Sequence, residues 1–211
     1  MNPSDIYENR FKGTTTVGIV CADGVVIGAD SRATMDTFIA STEAVKIYKV
    51  DENLGITIAG GVGDAEYVVK LLKVHNELFK MNENKPLSPT SASSLLSLIL
   101  QEHKMYPFIV QLIVGGMNSG APEIFSLDPF GGSIKESRFT STGSGSLTAL
   151  GYLESAYAPD MSAADAVKVA AMALTIAIKR DAATGNNMKI ASITKKGYKE
   201  YGKEELDRLM K

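Results

Sequence analysis

The chain has 211 residues, 45% of them hydrophobic and 22% charged, which fits one globular domain with a substantial buried core. Its formal net charge of -2 provides no general positive field. Nucleic-acid binding depends on basic groups that neutralise phosphates, so we expect no nucleic-acid partner.

Export and membrane signals are also missing from the sequence. Residues 1–13 contain charged side chains and no apolar core segment, which excludes an ordinary secretory signal. The longest nearly apolar run, residues 169–178, is about half of the roughly 20 residues that a membrane-spanning helix needs. We therefore predict a cytoplasmic protein with no membrane partner, in which the single cysteine, Cys21, is a packing residue.

The first predicted element is a β-hairpin. From Thr14 the chain runs through two β-branched segments around Asp23 and Gly24, a pair typical of two-residue hairpin turns. A two-residue turn there places Asp30 opposite Val17, at the end of the hairpin that holds Thr14. This count predicts at which end of the hairpin Asp30 lies, but not on which face of the sheet.

Two more strands and two helices are predicted next. Residues 44–50 and 56–60 form a second strand pair, and Asp64 can cap a helix whose apolar residues recur at helical spacing. A polar loop at residues 82–89 then leads to a helix over residues 91–104. These two helices follow each other directly in the chain.

The second half of the chain repeats this order. Three strands, a helix pair and the start of a closing strand pair are predicted at residues 109–117, 123–127, 133–139, 146–157, 163–180 and 189–194. Strand groups that alternate with helix pairs favour an α+β class, in which helices cover the outer faces of two sheets, over a doubly wound βαβ fold.

Common catalytic signatures are absent from the sequence. The chain has no G-x-S-x-G, H-E-x-x-H, P-loop or G-x-G-x-x-G motif, and His75 and His103 are its only histidines. Neither histidine belongs to a cluster with metal-ligand spacing, so both are interpreted as structural. No metal and no cofactor are predicted.

A threonine run near the start remains as a candidate for chemistry. Residues 13–18 read Gly-Thr-Thr-Thr-Val-Gly, which alone indicates no more than the start of a strand. Together with residues 28–32, Lys46, residues 143–146 and residues 180–185, however, this run resembles the β-subunits of the proteasome. The resemblance extends from Thr14 to about residue 194.

The resemblance implies a four-layer αββα sandwich of two antiparallel sheets, the fold of N-terminal nucleophile hydrolases. It further implies that residues 1–13 are a propeptide removed by autocatalysis between Gly13 and Thr14, which leaves residues 14–211 as the catalytic domain. Thr14 would then be the nucleophile, with its own α-amino group as the base. An unperturbed α-amino pKa of roughly 7.7–8.0 suits this role and removes the need for histidine.

Further site residues follow from the same resemblance. Asp30 would orient Lys46, whose ammonium favours the deprotonated hydroxyl of Thr14, and the backbone N–H of Gly60 would form the oxyanion hole. The supporting hydrogen bonds around the amine are assigned to Ser144, Asp181 and Thr184. The sequence departs from the usual family pattern at two positions, since Thr184 stands in place of serine and Asn186 in place of glycine.

The resemblance also implies a substrate pocket with small or aliphatic walls. Its residues are Ala33, Thr34, Ala44, Ile58 and Val62. An apolar pocket without a basic group predicts cleavage mainly after hydrophobic residues. Glu66 leaves a second possibility open, because it could admit basic side chains if it points into the pocket, or it could be a solvated helix residue.

The implied partners are α-subunits and other β-subunits, in seven-membered rings stacked as an α7β7β7α7 particle. A regulatory ATPase would act through the α rings and deliver unfolded protein substrates. Two alternatives remain. The chain could be the related bacterial ATP-dependent peptidase, although its N-terminal extension favours the proteasome. It could also be a non-catalytic structural β-subunit, although such subunits typically lose one of the residues present here: Gly13, Thr14 or Lys46.

Overall fold

The computed structural model describes residues 13–35 and 37–210; residues 1–12 of the predicted propeptide lie outside the described residues. The strands are β1 (Thr16–Val20), β2 (Gly24–Asp30), β3 (Ala33–Met35), β4 (Phe38–Ser41), β5 (Ile47–Asp51), β6 (Leu54–Gly60), β7 (Val110–Asn118), β8 (Ala121–Leu127), β9 (Ser133–Glu136), β10 (Phe139–Thr142), β11 (Met188–Thr194) and β12 (Gly197–Tyr201). The helices are α1 (Val62–Glu83), α2 (Pro89–Glu102), α3 (Ser146–Ala156), α4 (Ala163–Arg180) and α5 (Lys203–Leu209).

Two five-stranded antiparallel sheets form the centre of the molecule. The first sheet has the strand order β10-β1-β2-β11-β12, and the second has the order β5-β6-β7-β8-β9. Strands β3 and β4 form a separate hairpin. Each sheet therefore joins strands from both halves of the chain.

Three buried clusters show how the layers stack. One cluster packs α3 and α4 against the first sheet, around Val17, Leu153 and Leu174. A second packs α1 and α2 against the other sheet. The third, which includes Ile27 and Ile113, fills the space between the two sheets. Three apolar interfaces between four layers confirm the predicted αββα sandwich.

The first hairpin exists, but its predicted register is wrong by two residues. Val20 pairs with Val25, and Asp30 consequently lies beside Thr15 instead of Val17. The turn lies one residue earlier, at Ala22 and Asp23, because the N–H of Cys21 donates to the carbonyl oxygen of Gly24, 2.8 Å away. The Asp23 carboxylate accepts from the N–H of Ala163, the first residue of α4. A shift of two keeps every side chain on its face, so Asp30 still lies near Thr14.

Three other predictions need correction. The strand expected over residues 133–139 is two strands, β9 and β10, which belong to different sheets. Helix α1 begins at Val62, and the Asp64 carboxylate accepts a hydrogen bond from the N–H of Ile109, 2.9 Å away, instead of capping the helix. Strand β5 starts at Ile47, later than expected. The hairpin β3–β4 and helix α5 were not predicted.

Within residues 13–35 and 37–210, no helix combines the length and apolarity that a membrane crossing requires. The same residues contain no group of three or more histidine, cysteine or acidic side chains suited to a metal ion. His75 is exposed on α1, and His103 is exposed at the end of α2, where its ring packs on Phe108.

Candidate active site

Thr14 lies just before β1 and is buried, with 6% of its surface exposed. Its hydroxyl donates a hydrogen bond to the carbonyl oxygen of Gly13, 2.6 Å away. The same oxygen accepts from the Nζ atom of Lys46, at 3.0 Å. The candidate nucleophile and a buried cation therefore meet at the carbonyl group of the predicted cleavage site.

Lys46 is held by acceptors on every side. Besides Gly13, its ammonium donates to the Asp30 carboxylate at 2.8 Å and to the carbonyl oxygen of Arg32. These bonds use the three protons of the ammonium, which fixes its position. Burial lowers the pKa of Lys46 from its ordinary value, and the negative charge of Asp30 opposes that change.

Asp30 is a fully bonded buried anion. Its Oδ1 atom accepts from the N–H of Thr15 as well as from Lys46, and its Oδ2 atom accepts from the N–H groups of Arg32 and Gly185, each backbone contact being 3.0 Å long. Backbone donors cannot rotate away from their acceptor. The carboxylate is therefore a rigid support for Lys46, and the register of β1 and β2 brings it there.

A second group of side chains surrounds the backbone next to Thr14. The Oδ2 atom of Asp181 accepts from the hydroxyls of both Ser144 and Thr184. The Ser144 hydroxyl in turn accepts from the N–H of Gly13, 3.3 Å away, and lies 3.4 Å from the carbonyl oxygen of Thr14. The structure thus brings the predicted residues Ser144, Asp181 and Thr184 together beside the Gly13–Thr14 peptide.

Gly60 ends β6 in a conformation that favours glycine, with φ at 113°. A Cβ atom there would lie 2.2 Å from the carbonyl oxygen of Ile109, which excludes any side chain. Two residues earlier, the N–H of Ile58 donates to the carbonyl oxygen of Lys46. Because N–H directions alternate along a strand, the N–H of Gly60 faces the edge of β6 on which Lys46 lies.

Gly13 also occupies a position that favours glycine. Its φ is 129°, and a Cβ atom would lie 2.4 Å from the hydroxyl oxygen of Thr34. A residue with a side chain would strain the backbone next to the predicted cleavage site. The structure therefore supplies a physical reason for glycine in front of Thr14.

The predicted pocket residues are distributed over several elements. Ala33 and Thr34 lie on β3, Ala44 precedes β5, and Ile58 is buried in β6. Val62 is 56% exposed at the start of α1. Glu66 is exposed one turn later and lies 3.7 Å from Lys70, as in a solvated helix face. Their roles toward a substrate stay predictions.

The two departures from the family pattern are accommodated without disrupting the site. Thr184 is fully buried and its hydroxyl reaches Asp181, as a serine would. Asn186 has a φ of 66°, a conformation that asparagine tolerates, and its side-chain oxygen accepts from the Nε atom of Arg32 at 2.9 Å. Arg32 also donates to the carbonyl oxygen of Ala182, so it stabilises the loop between α4 and β11.

Sequence reasoning missed Arg32 and Gln111 as contributors to the site. Gln111 lies on β7, directly opposite Ala59, and its side-chain oxygen accepts from the N–H of Gly143 at 3.0 Å. It therefore links the end of β6 to the turn that carries Ser144. Its polar side chain within the apolar run of residues 109–117 was the available clue. Arg32 stands in the motif of residues 28–32, but no role was predicted for it.

The four-layer sandwich with a buried threonine ahead of the first strand defines an N-terminal nucleophile hydrolase fold. Comparison with known proteins narrows this class. A family model described as "Proteasome subunit" matches residues 11–193. The chain belongs to the proteasome subunit family.

The names of individual relatives agree with this family assignment. "Proteasome subunit beta" of Methanothrix thermoacetophila is 47% identical over 201 residues, 95% of this chain and 97% of the relative. Proteins of the same name from Methanosarcina mazei and Methanocaldococcus vulcanius are 45% and 46% identical, covering 94% and 96% of this chain and 95% and 91% of their own lengths. The similarity therefore extends over nearly complete chains on both sides.

Proposed function

We propose that this chain is a catalytic β-subunit of an archaeal-type 20S proteasome, a threonine endopeptidase that hydrolyses peptide bonds of unfolded proteins. One observation carries the proposal: the Thr14 hydroxyl and the Lys46 ammonium both donate to the carbonyl oxygen of Gly13. A structural subunit has no need of a buried lysine at that carbonyl. The relatives named as proteasome β-subunits support the same role.

The first reaction is removal of residues 1–13. The Thr14 Oγ1 atom attacks the Gly13 carbonyl carbon, and Lys46 stabilises the negative charge that develops on the oxygen it already contacts. The C–N bond breaks, the nitrogen takes up a proton and becomes the α-amino group of Thr14, and an ester remains on Oγ1. Water then hydrolyses this ester, which releases the propeptide as a carboxylic acid and regenerates the hydroxyl.

Peptide hydrolysis uses the new α-amino group as a base. The amine accepts the proton of the Thr14 hydroxyl as the oxygen attacks a substrate carbonyl, and returns a proton to the substrate nitrogen as the peptide C–N bond breaks. Water then hydrolyses the ester left on Oγ1, which releases the second product as a carboxylic acid and regenerates the hydroxyl. Lys46 supplies positive charge beside the oxygen, and the N–H of Gly60 stabilises the tetrahedral oxyanion. When Gly13 leaves, the Ser144 hydroxyl that accepted from its N–H becomes available to the new amine, and Asp181 and Thr184 keep that hydroxyl in place.

Assembly with α-subunits and other β-subunits in seven-membered rings belongs to the same proposal, as does delivery of substrates by a regulatory ATPase. The single chain leaves several large apolar side chains exposed, including Met35 and Phe38 on the hairpin β3–β4 and Leu147 on α3. Large exposed apolar side chains are typical of surfaces covered by neighbouring subunits when they form a patch, as Met35 and Phe38 do on one hairpin. The exposure of these side chains in the single chain supports the proposed ring assembly, in which neighbouring subunits would cover them.

The test is the intact mass of this chain after co-expression with a cognate α-subunit. We expect the wild type to lose residues 1–13 and the Thr14→Ala variant to retain them, because alanine lacks the attacking oxygen. Thr16→Ala is the matched control and should be processed, since Thr16 bonds Thr142 and not Gly13. Trimming of Thr14→Ala at Gly13 would overturn self-cleavage, and an unprocessed, inactive wild type would identify a structural subunit.

Specificity is tested with fluorogenic peptides that differ only in the residue before the scissile bond. The aliphatic residues Ile58 and Val62 support faster cleavage after leucine or tyrosine than after glutamate. The opposite order would contradict a hydrophobic pocket. Cleavage after arginine that disappears in Glu66→Gln would show that Glu66 faces the substrate rather than solvent.

A further inference from the structure

Thr15 connects the two hydrogen-bonded groups of the site. Its side chain and backbone are fully buried, at 0% exposure. Its N–H donates to the Oδ1 atom of Asp30, the carboxylate that holds Lys46, at 3.0 Å. Its hydroxyl oxygen lies 2.7 Å from the hydroxyl oxygen of Thr184, which bonds Asp181. No other residue described here bonds Asp30 with its backbone and Thr184 with its side chain.

The direction of the hydrogen bond between the two threonines follows from counting protons. The Thr184 hydroxyl has one proton, and the carboxylate oxygen of Asp181 can only accept, so this proton lies between Thr184 and Asp181. Thr15 must therefore be the donor to Thr184. The hydrogen bonds run in one sense, from Thr15 through Thr184 to Asp181.

The same residues close a ring of contacts. Asp30 accepts from the N–H of Gly185, which follows Thr184 in the chain, and from the N–H of Thr15. Backbone bonds on one side and the pair of hydroxyls on the other hold the loop after α4 against the start of β1. The rotamer of Thr184 is thereby fixed by hydrogen bonds to Thr15 on one side and to Asp181 on the other.

We infer that Thr15 is a positioning residue for the proposed peptidase reaction, which directs the Thr184 hydroxyl to Asp181 and so holds Asp181 and Ser144 in place beside Thr14. The inference rests on the proposed function. The side chain of Thr15 bonds Thr184, not the reacting atoms, and acts through Thr184 alone. Without its donated proton, the buried oxygen of Thr184 loses a partner and the side chain is free to rotate away from Asp181.

The experiment compares four variants in the assembled, processed particle: Thr15→Val, Thr15→Ser, Thr184→Val and the double variant Thr15→Val/Thr184→Val. We expect Thr15→Val to lower kcat by about tenfold with KM nearly unchanged, because the amine and hydroxyl are misplaced while the substrate pocket is intact. Thr15→Ser keeps the donor and should restore kcat. The double variant should lose no more than Thr184→Val alone, since both changes break one chain of bonds.

Thr16→Val is the matched control. Thr16 is the next residue, is equally buried, and forms a similar pair of hydroxyls with Thr142 at 2.6 Å, away from Asp181. We expect its kcat and KM to be those of the wild type, even if its melting temperature falls as much as that of Thr15→Val. If the loss of any buried hydroxyl lowered kcat, Thr15→Val and Thr16→Val would have equally reduced kcat values. That outcome would overturn the inference.

Other outcomes are equally decisive. Additive losses in the double variant, or a Thr15→Ser enzyme as slow as Thr15→Val, would show that Thr15 does not act through its hydroxyl and Thr184. If Thr15→Val does not assemble, Thr15→Ala serves in its place. Failure of both while Thr16→Val assembles would make Thr15 a structural residue and overturn the proposal. An inactive wild type would refute the proposed function itself, which distinguishes that failure from this one.

Discussion

Two lysine–carboxylate pairs show how differently the same ion pair can be used in one molecule. At the site, Lys46 and Asp30 have side-chain exposures of 7% and 0%. On β9 and β8 of the second sheet, Lys135 and Glu123 have exposures of 58% and 9%. Both carboxylates are buried, so the difference lies in the lysine: one ammonium is enclosed by protein acceptors, and the other extends into solvent.

Burial of the ammonium changes its chemistry. Desolvation lowers the pKa of Lys46, with the Asp30 charge opposing the change. For Glu123, burial acts to raise the pKa, but hydrogen bonds from Lys135 and Thr90 and the charge of Lys135 outweigh it and hold the pKa below its ordinary value. Burial of Lys46 therefore changes the alkaline pH range in which the lysine itself loses its proton. The solvated Lys135 instead changes the acid pH range in which Glu123 gains a proton.

Removing the enclosed lysine should have the largest effect. In the assembled particle we expect Lys46→Ala to reduce kcat for a fluorogenic peptide by roughly 10²–10³-fold, the scale of losing an electrostatic contact to the reacting oxygen. Asp30 keeps three backbone donors, from Thr15, Arg32 and Gly185, so the fold should survive with a lower melting temperature.

Lys46→Arg sharpens the same test. A guanidinium keeps the charge but differs in shape and does not release its proton, so this variant should also fail. Lys135→Ala is the control on the solvated pair and should retain wild-type kcat. Near-native turnover of either Lys46 variant would remove Lys46 from the mechanism and make the two pairs equivalent.

The pH dependence of activity should reveal the enclosed ammonium. Because the pKa of Lys46 is lowered, its charge is lost as the pH rises through a value below the ordinary 10.5. In that window the unfolded chain binds more protons than the folded chain, so stability does not fall there while activity does. We expect the alkaline limb of kcat/KM to have a midpoint below 10.5, in particles shown to be intact by size. A midpoint at or above 10.5 would contradict the burial of the charged lysine.

The solvated pair should instead affect stability in acid, and by less. A lowered carboxylate pKa contributes stability above the ordinary value of 4.5, and this contribution disappears as the pH falls through the pKa of the folded state. Lys135→Ala should raise that pKa, move the acid-unfolding midpoint measured by circular dichroism to higher pH, and cost up to about 1 kcal/mol at neutral pH.

Lys70→Ala provides the comparison for this last effect. Lys70 pairs with Glu66 at 3.7 Å, and both side chains are largely exposed. The acid midpoint of this variant should equal that of the wild type. If Lys135→Ala behaves in the same way, burial of Glu123 does not strengthen its ion pair, and the contrast between the two lysines rests on Lys46 alone.

Much of the fold was predictable because the spacing of apolar residues within a segment indicates which side of that segment is buried. The helix pairs, the first hairpin and most strands followed from the periodicity of apolar residues. Predictions failed where a distant contact set the outcome. The turn of the first hairpin lies one residue earlier than predicted, where Asp23 bonds the start of α4, and Asp64 bonds Ile109 instead of capping its own helix. Both contacts join residues that are far apart in the chain, so they cannot be predicted from local sequence patterns.

The family and most residues around Thr14 could be predicted from the sequence, because the motifs around Thr14, Asp30 and Lys46 are specific when taken together. How these residues meet depends on contacts between distant parts of the chain. Stacking of the two sheets brings Lys46, at the edge of one sheet, to Gly13 and Asp30 at the end of the other. The connection of Thr15 to Thr184 spans 169 positions in the chain, and such a contact exists only once the first sheet and the loop after α4 are packed.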